Sequence, residues 1–407
     1  MKSLMNIRHE ALFSFETLLK YEPQTRLAKI LTTLQLNLMN IKLASHSSPR
    51  GPIGYSKLCL LRALIAKYAY AIPNTAKLVE RLRSDIILRY DCGFTLCEGI
   101  PSTATFSRFI QMIAEDSSLQ DIFDELVQRA ITAGIIDGTH VAIDASKIDA
   151  YEKTLPRKQI ICDGKHADWG SKQDTNGNQI TWFGYKIHAA VDTHSELPIA
   201  ITVTSANEND STQAIPLMEL VEKQNLTTNY FIMDTGYDVK RIYHHTAEHQ
   251  KQAIIPLNLR NEKIPPAGLD ETRTPICSMG YPMVYWGSNK KIGELKFRCP
   301  HVLAKVNCPM GSQWCSSSTY GHVVKKFVSE DSRSFCTPHR GTKHWTALYN
   351  ERTSVERFFS RMKEHLMADD ITIGGIKKVK AHLLLSCITL IAGTLAVNER
   401  KSSKKVA

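Results

Sequence analysis

Tyr349–Leu366 reads YNERTSVERFFSRMKEHL. Wound as a helix at about 100° per residue with Tyr349 at zero, Arg352, Glu356 and Lys363 fall at about 300°, 340° and 320°. The four side chains share one stripe about 60° wide. Val355, Phe358, Phe359, Met362 and Leu366 fill the adjoining arc, from about 180° to 280°, so that flank is built for burial. Arg357 and Arg361 lie on the far side. A single carboxylate among cationic groups therefore stands at the rim of a buried face. Such a carboxylate can hold a hard divalent cation, and Arg and Lys beside it can grip phosphates. An amphipathic surface helix with an ordinary i,i+4 pair between Arg352 and Glu356 has the same pattern. Further carboxylates at strand ends upstream would separate the two readings.

Two upstream segments share a plan in which an apolar strand runs straight into an Asp. In HVAIDASKIDA (140–150), Val141–Ile143 precede Asp144, and the small Ser146 leaves room for a ligand. In TNYFIMDTGYD (228–238), Tyr230–Met233 precede Asp234, and Gly236 suits a tight turn. Asp137 and Asp149 are rivals to Asp144, although Asp137 sits in a turn-like DGT. Between the segments, a polar, Gly-rich loop (162–178) leads into two β runs, 180–193 and 197–206, joined as a hairpin at His194–Glu196. Gln213–Lys223 reads as a helix. A carboxylate beside the end of a central strand is where open α/β sheets place their sites. Either Asp alone would more often be a turn-former; both, together with Glu356, favour a shared site. His188 and Asp192 fit packing and turn roles as well as a site.

The flanking regions differ in character. From Tyr55 to Gly134 the periodicity is helical. Ser56, Asn74 or Thr75, Ser102 or Thr103, and Ser118 serve as caps, and Pro73, Cys92-Gly93 and Gly134 as stops. These short breaks imply a helical bundle. Around Pro73-Asn74 the first two helices are candidates for a helix-turn-helix, with Lys77, Arg81, Arg83 and Arg89 facing DNA; a bundle that only scaffolds is the plainer reading. The 121 residues between Asp234 and Glu356 exceed what a crossover needs. Within them, YPMVYWG, IGELKFRC and HVVKKFV read as strands, with a turn at Ser288-Asn289-Lys290. Cys277, Cys299, Cys308, Cys315 and Cys336 gather there with His301, His322 and His339, the first four cysteines being the candidate zinc ligands. No C-x-x-C pair occurs, so a structural zinc site stands beside free cysteines in a small β subdomain. Lys290, Lys291, Lys296 and Arg298 make the region basic and open to DNA contact.

Composition fits these expectations. The 407 residues allow two or three domains, and 43% apolar content supports a substantial core. With 51 Lys+Arg against 40 Asp+Glu the net charge is +11, which favours a polyanionic partner. No secretory signal is visible. The uncharged run 383–397 is 15 residues long, short of the ~20 that a membrane span needs, and reads as a buried helix. Ten cysteines without a signal peptide point to reduced thiols in the cytoplasm.

The spacing Tyr, two residues, Arg, three residues, Glu, six residues, Lys, with VAIDAS, IMDTGYD and the helical N-terminal region, resembles DDE transposases of bacterial insertion sequences. The resemblance covers most of the chain and marks it as the group with the Y-R-E-K signature. It implies an α/β fold with a ribonuclease-H-like catalytic core interrupted by a β-rich insertion and preceded by an all-α N-terminal domain. The expected divisions are a DNA-binding domain at 1–135, core at 136–256, insertion at 257–340, core again at 341–398 and a disordered tail at 399–407. It assigns catalysis and metal binding to Asp144, Asp234 and Glu356, with two Mg²⁺ ions per site or Mn²⁺ in their place. DNA phosphate would meet Tyr349, Arg352 and Lys363, with further DNA contacts at Arg81, Lys290, Lys291, Arg357 and Arg361. Trp286 and Trp314 are expected in the core, with stacking on a displaced base as the alternative. The implied activity is cut-and-paste transposition by a homodimer on terminal inverted repeats and target DNA, without a membrane. An inactive transposase-derived DNA-binding protein and a repair nuclease with the same core are the competing functions.

Overall fold

The structure, a computed structural model, describes residues 24–35, 54–97, 99–156, 164–173, 176–259, 264–289 and 291–406. Two compact units emerge: residues 1–109 with 388–407, and residues 110–387. The division at 109/110 falls well before the 135/136 boundary expected from sequence, and the insertion belongs to the second unit.

In the first unit, α1 (Arg26–Leu34), α2 (Lys57–Ala69), α3 (Thr75–Ser84) and α4 (Ile86–Asp91) begin at side-chain caps. Asn74 Oδ1 accepts the Lys77 N–H at 2.9 Å, and Asp85 Oδ1 that of Leu88 at 2.9 Å. The single helix expected over 76–90 is thus two, because Asp85 closes one and opens the next. Arg81 lies 4.8 Å over the Tyr70 ring and 3.6 Å from Asp85. Lys77 pairs with Glu80 and Arg89 donates to the Thr95 carbonyl, while Arg83 is exposed. Three of the four cations expected to face DNA are therefore already held within the chain.

The next helices are α5 (Thr103–Glu115) and α6 (Ser118–Thr132). The second unit is built on a mixed sheet of β1 (His140–Asp149), β2 (Asp168–Gln173), β3 (Gln179–Asp192), β4 (Pro198–Ser205), β5 (Tyr230–Ile232) and β6 (Gln252–Ile254). Its order is β2-β3-β1-β5-β6, with β4 also on β3. β3 runs antiparallel to β1, β2 and β4, while β1, β5 and β6 are parallel. Helices α7 (Ala214–Glu222) and α8 (Lys240–Glu248) supply the crossovers to β5 and β6. This is the ribonuclease-H-like arrangement, with β2 as an addition inside what reads as a polar loop. The apolar runs predicted to be buried are buried: Val141, Ala142, Ile143, Phe231 and Ile232 are all 0% exposed.

The insertion carries a three-stranded antiparallel sheet of β7 (Val284–Asn289), β8 (Glu294–Arg298) and β9 (Val323–Phe327), over a small core of Met283, Leu295, Phe297 and Phe335. Trp286 and Trp314 are not core residues: they are 48% and 53% exposed. The Arg298 guanidinium lies 4.2 Å over the Trp286 ring, so cation–π contact across the strands substitutes for burial.

Tyr349–Leu366 is not one helix. α9 (Lys343–Asn350) and α10 (Thr353–His365) are separated at Glu351-Arg352. The junction is a tightened turn, and the Glu351 carboxylate there receives the Thr193 hydroxyl at 2.9 Å and lies 2.8 Å from His140 Nδ1, so distant partners hold it. The face expected to be buried is buried: Val355 and Phe358 are 0% exposed and Met362 1%, and each such side chain contributes about 1.5–3 kcal/mol on burial. α11 (Ile376–Val406) covers the end of α10, where Ser386 donates to the Leu366 carbonyl at 2.6 Å and His382 Nε2 lies 2.8 Å from that of Met367. Its apolar part, Ile376–Glu399, is 24 residues, longer than expected and long enough to cross a membrane, but 67% of its apolar window is buried in the protein. The helix runs on to Val406, through residues expected to form a disordered tail.

Candidate active site

β1 and β5 are adjacent and parallel, with Ala142 opposite Ile232. Two residues further on, Asp144 lies within β1, which continues to Asp149 on β3, while Asp234 follows just beyond the end of β5; the end expected for the first strand, at Ile143, falls too early. Each is held by a backbone donor: Ala145 N–H to Asp144 Oδ1 at 2.8 Å, and Gly236 N–H to Asp234 Oδ1 at 2.8 Å, where Asp234 caps a 3₁₀ turn over Thr235–Tyr237. Burial, then the charge of Asp234, pushes the Asp144 carboxyl up to about 7, against the pull of the Ala145 N–H and Arg352. Burial likewise raises Asp234, with a further push from Asp210. Two carboxylates crowded in a half-buried pocket resist ionising together.

Glu356 arrives from α10, and Arg352 joins it to the strand acids. One guanidinium arm is 2.6 Å from Glu356 Oε1 and the other 3.4 Å from Asp144 Oδ2. Although burial disfavours its charge, Glu356 and Asp144 hold Arg352 above its ordinary value. The guanidinium thus bridges two acids as a bound cation would. The three carboxylates do not close into a ligand shell here. Among the described residues, the trio with ligand atoms all within 4.8 Å of one another is Glu222, His245 and His249. That trio already carries a cation, since Lys251 Nζ is 2.6 Å from Glu222 Oε1. The donor chemistry of Asp144, Asp234 and Glu356 nevertheless fits a hard divalent ion: all offer carboxylate oxygens, Asp144 and Asp234 resist ionising together, and a guanidinium sits between Asp144 and Glu356.

Other expected contacts lie elsewhere. Tyr349 belongs to α9, where it stacks on Trp345 with ring centroids 5.2 Å apart. Lys363 donates to the Lys147 carbonyl of β1 at 2.9 Å and pairs with Asp369 at 3.2 Å. Arg357 and Arg361 both clamp Glu196 in the β3–β4 turn, Arg361 at 3.0 Å. Lys291 is exposed, and Lys290 lies outside the described residues. His188 is buried against Thr204 at 2.8 Å, and Asp192 accepts from the Gly138 and Ser195 N–H groups at 2.8 and 2.7 Å.

Two residues at the site escaped the sequence reading. Asp210, in a 3₁₀ turn beyond β4, pairs with Lys186 at 2.8 Å and is close enough to raise Asp144 and Asp234. Tyr237 is 1% exposed, its hydroxyl has no hydrogen-bond partner among the described residues, and the charges of Asp144, Asp210 and Asp234 all bear on it. The signal for Asp210 was the polar turn NEND closing a strand at the same end of the sheet.

A ribonuclease-H-like sheet with one acid within its central strand and a second just beyond the parallel neighbour fits the class of enzymes that transfer phosphoryl groups in nucleic acids. Residues 130–392 match the family described as Transposase DDE domain, and residues 15–112 that described as Transposase domain (DUF772); the chain belongs to the DDE transposases. It is also similar, at 11% identity over 92% of this chain and 73% of that one, to a piggyBac transposase synaptic complex with hairpin DNA solved by cryo-EM, with a TM-score of 0.39. The protein is accordingly a DNA transposase, its chemistry is phosphoryl transfer on DNA with divalent metal, and DNA is its partner.

Proposed function

We propose that Asp144, Asp234 and Glu356 carry the cleavage and joining chemistry, holding two Mg²⁺ ions, with Mn²⁺ as a substitute. The observation behind this is the Arg352 bridge from the β1 acid to the α10 acid, beside a second acid just beyond the neighbouring strand. The ions would activate the attacking oxygen and stabilise the leaving one. Asp144 and Asp234 sit on the rigid sheet and fix one side of the pocket. Glu356 is 51% exposed on its side chain and completes the pocket from the helix. Arg352 neutralises Asp144 and Glu356 in the metal-free protein and is placed to take up the scissile phosphate once released from them. Lys363 acts on the same geometry by tying α10 to β1. The substrates are terminal inverted repeats and target DNA, engaged by a homodimer in the cytoplasm, in cut-and-paste transposition.

The experiment is strand nicking of inverted-repeat DNA by Asp144→Asn, Asp234→Asn and Glu356→Gln with Mg²⁺. Each should lose cleavage by about 10³-fold or more, as expected when a carboxylate that holds the reacting cation is removed, while end binding stays near wild type. A variant that nicks at the wild-type rate removes its residue from the site.

A further inference from the structure

Between β8 and β9, residues 299–322 form 24 residues of turns without helix or strand. So long an irregular segment in a compact domain needs something to hold it, and the neighbouring core of Met283, Leu295, Phe297 and Phe335 is small. The segment instead surrounds a cavity of about 10 Å³, lined by Cys277, Cys299, Cys308 and Cys315 with His301 and His322. That is room for roughly one water-sized sphere.

Two of the four thiols are presented by the same local device. In Cys277-Ser-Met-Gly280 the Gly N–H donates to the Cys carbonyl at 2.9 Å, and in Cys308-Pro-Met-Gly311 at 3.0 Å. Both glycines adopt the left-handed region, at φ 83° and 66°. Cys299 follows β8 directly and donates its N–H to the His322 carbonyl at 2.9 Å. His301 Nδ1 accepts the Cys308 N–H at 3.1 Å, which fixes the loop and spends that lone pair. Cys277, Cys299 and Cys308 are all within electrostatic reach of the Cys315 sulfur. All four are free thiols.

We infer that Cys277, Cys299, Cys308 and Cys315 form a tetrathiolate site for a structural zinc ion, which staples the insertion. Four soft sulfur donors with no open position select zinc and a structural rather than catalytic role. No three of the sulfurs lie within 4.8 Å of one another, so closure uses the staggered χ1 wells of the cysteines. Binding releases the thiol protons to solvent and leaves four Zn–S bonds. The site is independent of the carboxylates, and its test does not depend on cleavage.

The full chain, purified without chelator, should contain about one zinc per chain. After exchange with Co²⁺ it should show the sulfur-to-cobalt charge-transfer band and the strong visible bands of a tetrahedral thiolate site. Oxygen ligands produce no such charge-transfer band, so cobalt at Asp144, Asp234 or Glu356 cannot imitate it. Cys308→Ser and Cys315→Ser should lose the zinc and the band, whereas Cys97→Ser, an exposed cysteine outside the cluster, should retain both. A wild-type protein with neither zinc nor a thiolate band after cobalt addition overturns the proposal, as does equal loss in Cys97→Ser.

Discussion

Replacing Asp144 by Asn should abolish cleavage and still make the metal-free protein more stable. The Asp144 carboxyl titrates at about 7 in the folded chain, against an ordinary 3.8, because burial and the charge of Asp234 oppose its ionisation. Between those values the folded chain keeps a proton that the unfolded chain has released. Stability therefore falls as pH rises through that window, and the full loss is present above pH 7. A gap of about 3 pH units at 1.36 kcal/mol each amounts to about 4 kcal/mol. Asn carries no charge and recovers this penalty at pH 8, with almost nothing to recover at pH 4. The variant loses the 3.4 Å contact to Arg352, but Arg352 keeps Glu356 at 2.6 Å. The net gain at pH 8 should therefore be about 2–4 kcal/mol. Urea unfolding of the full chain in EDTA, followed by far-ultraviolet circular dichroism at pH 4, 6 and 8, measures it. Added Mg²⁺ or Mn²⁺ should then stabilise the wild type and not the variant. A variant less stable than wild type at pH 8, or one whose advantage is the same at pH 4 and pH 8, refutes this electrostatic account.

Arg333→Ala should cost about 3–5 kcal/mol, because it removes the cation paired at 2.8 Å with the Asp238 carboxylate, whose side chain is 0% exposed, and leaves the Tyr243 hydroxyl and the Asn258 N–H as neutral donors to it; an unchanged urea midpoint would show that the pair is not holding the insertion to the core. Glu351→Ala frees the link to His140 and Thr193 that holds the junction between α9 and α10. Nicking should fall about 10–100-fold with DNA end binding preserved, and a wild-type rate would mean that the kink does not position Glu356.

Much of the site was legible because its acids follow uninterrupted apolar runs. Val141–Ile143 and Tyr230–Met233 have no polar residue before the Asp, and a buried parallel strand has that composition on both faces. Caps at Asn74 and Asp85 lie on local side-chain geometry and can be read in sequence, although the double use of Asp85 was missed. What stayed hidden depends on partners far along the chain. The break at Glu351-Arg352 is held by His140 and Thr193, 211 and 158 residues away. β2, DWGSKQ, has half its residues exposed and pairs with the projecting end of β3, so no alternation of apolar and polar residues announces it. Trp286 looked like core on hydrophobicity, and only the register of β7 on β8 brings Arg298 over its ring.

The kink and the guanidinium bridge belong to one arrangement. A continuous helix would place Tyr349, Arg352, Glu356 and Lys363 on one stripe facing one way. At the break each finds further partners: Tyr349 stacks on Trp345 with the Arg352 guanidinium still 5.9 Å over its ring, Lys363 reaches the backbone of β1, and Arg352, at the N-cap of α10, reaches Asp144 as well as Glu356. Among the described residues, Asp144, Asp210 and Glu356 pair with Arg352 and Lys186, and Asp234 lies beside them, so with all four acids ionised these two cations leave a formal excess of two negative charges. One divalent ion balances that excess. A second ion, as proposed for this site, would add positive charge that an incoming phosphate would offset, which would couple loading of the complete site to the arrival of DNA. If Arg352 leaves the acids for that phosphate, its charge moves with the substrate rather than opposing the metal. The residue that joins Asp144 to Glu356 is thereby the one best placed to receive the DNA backbone.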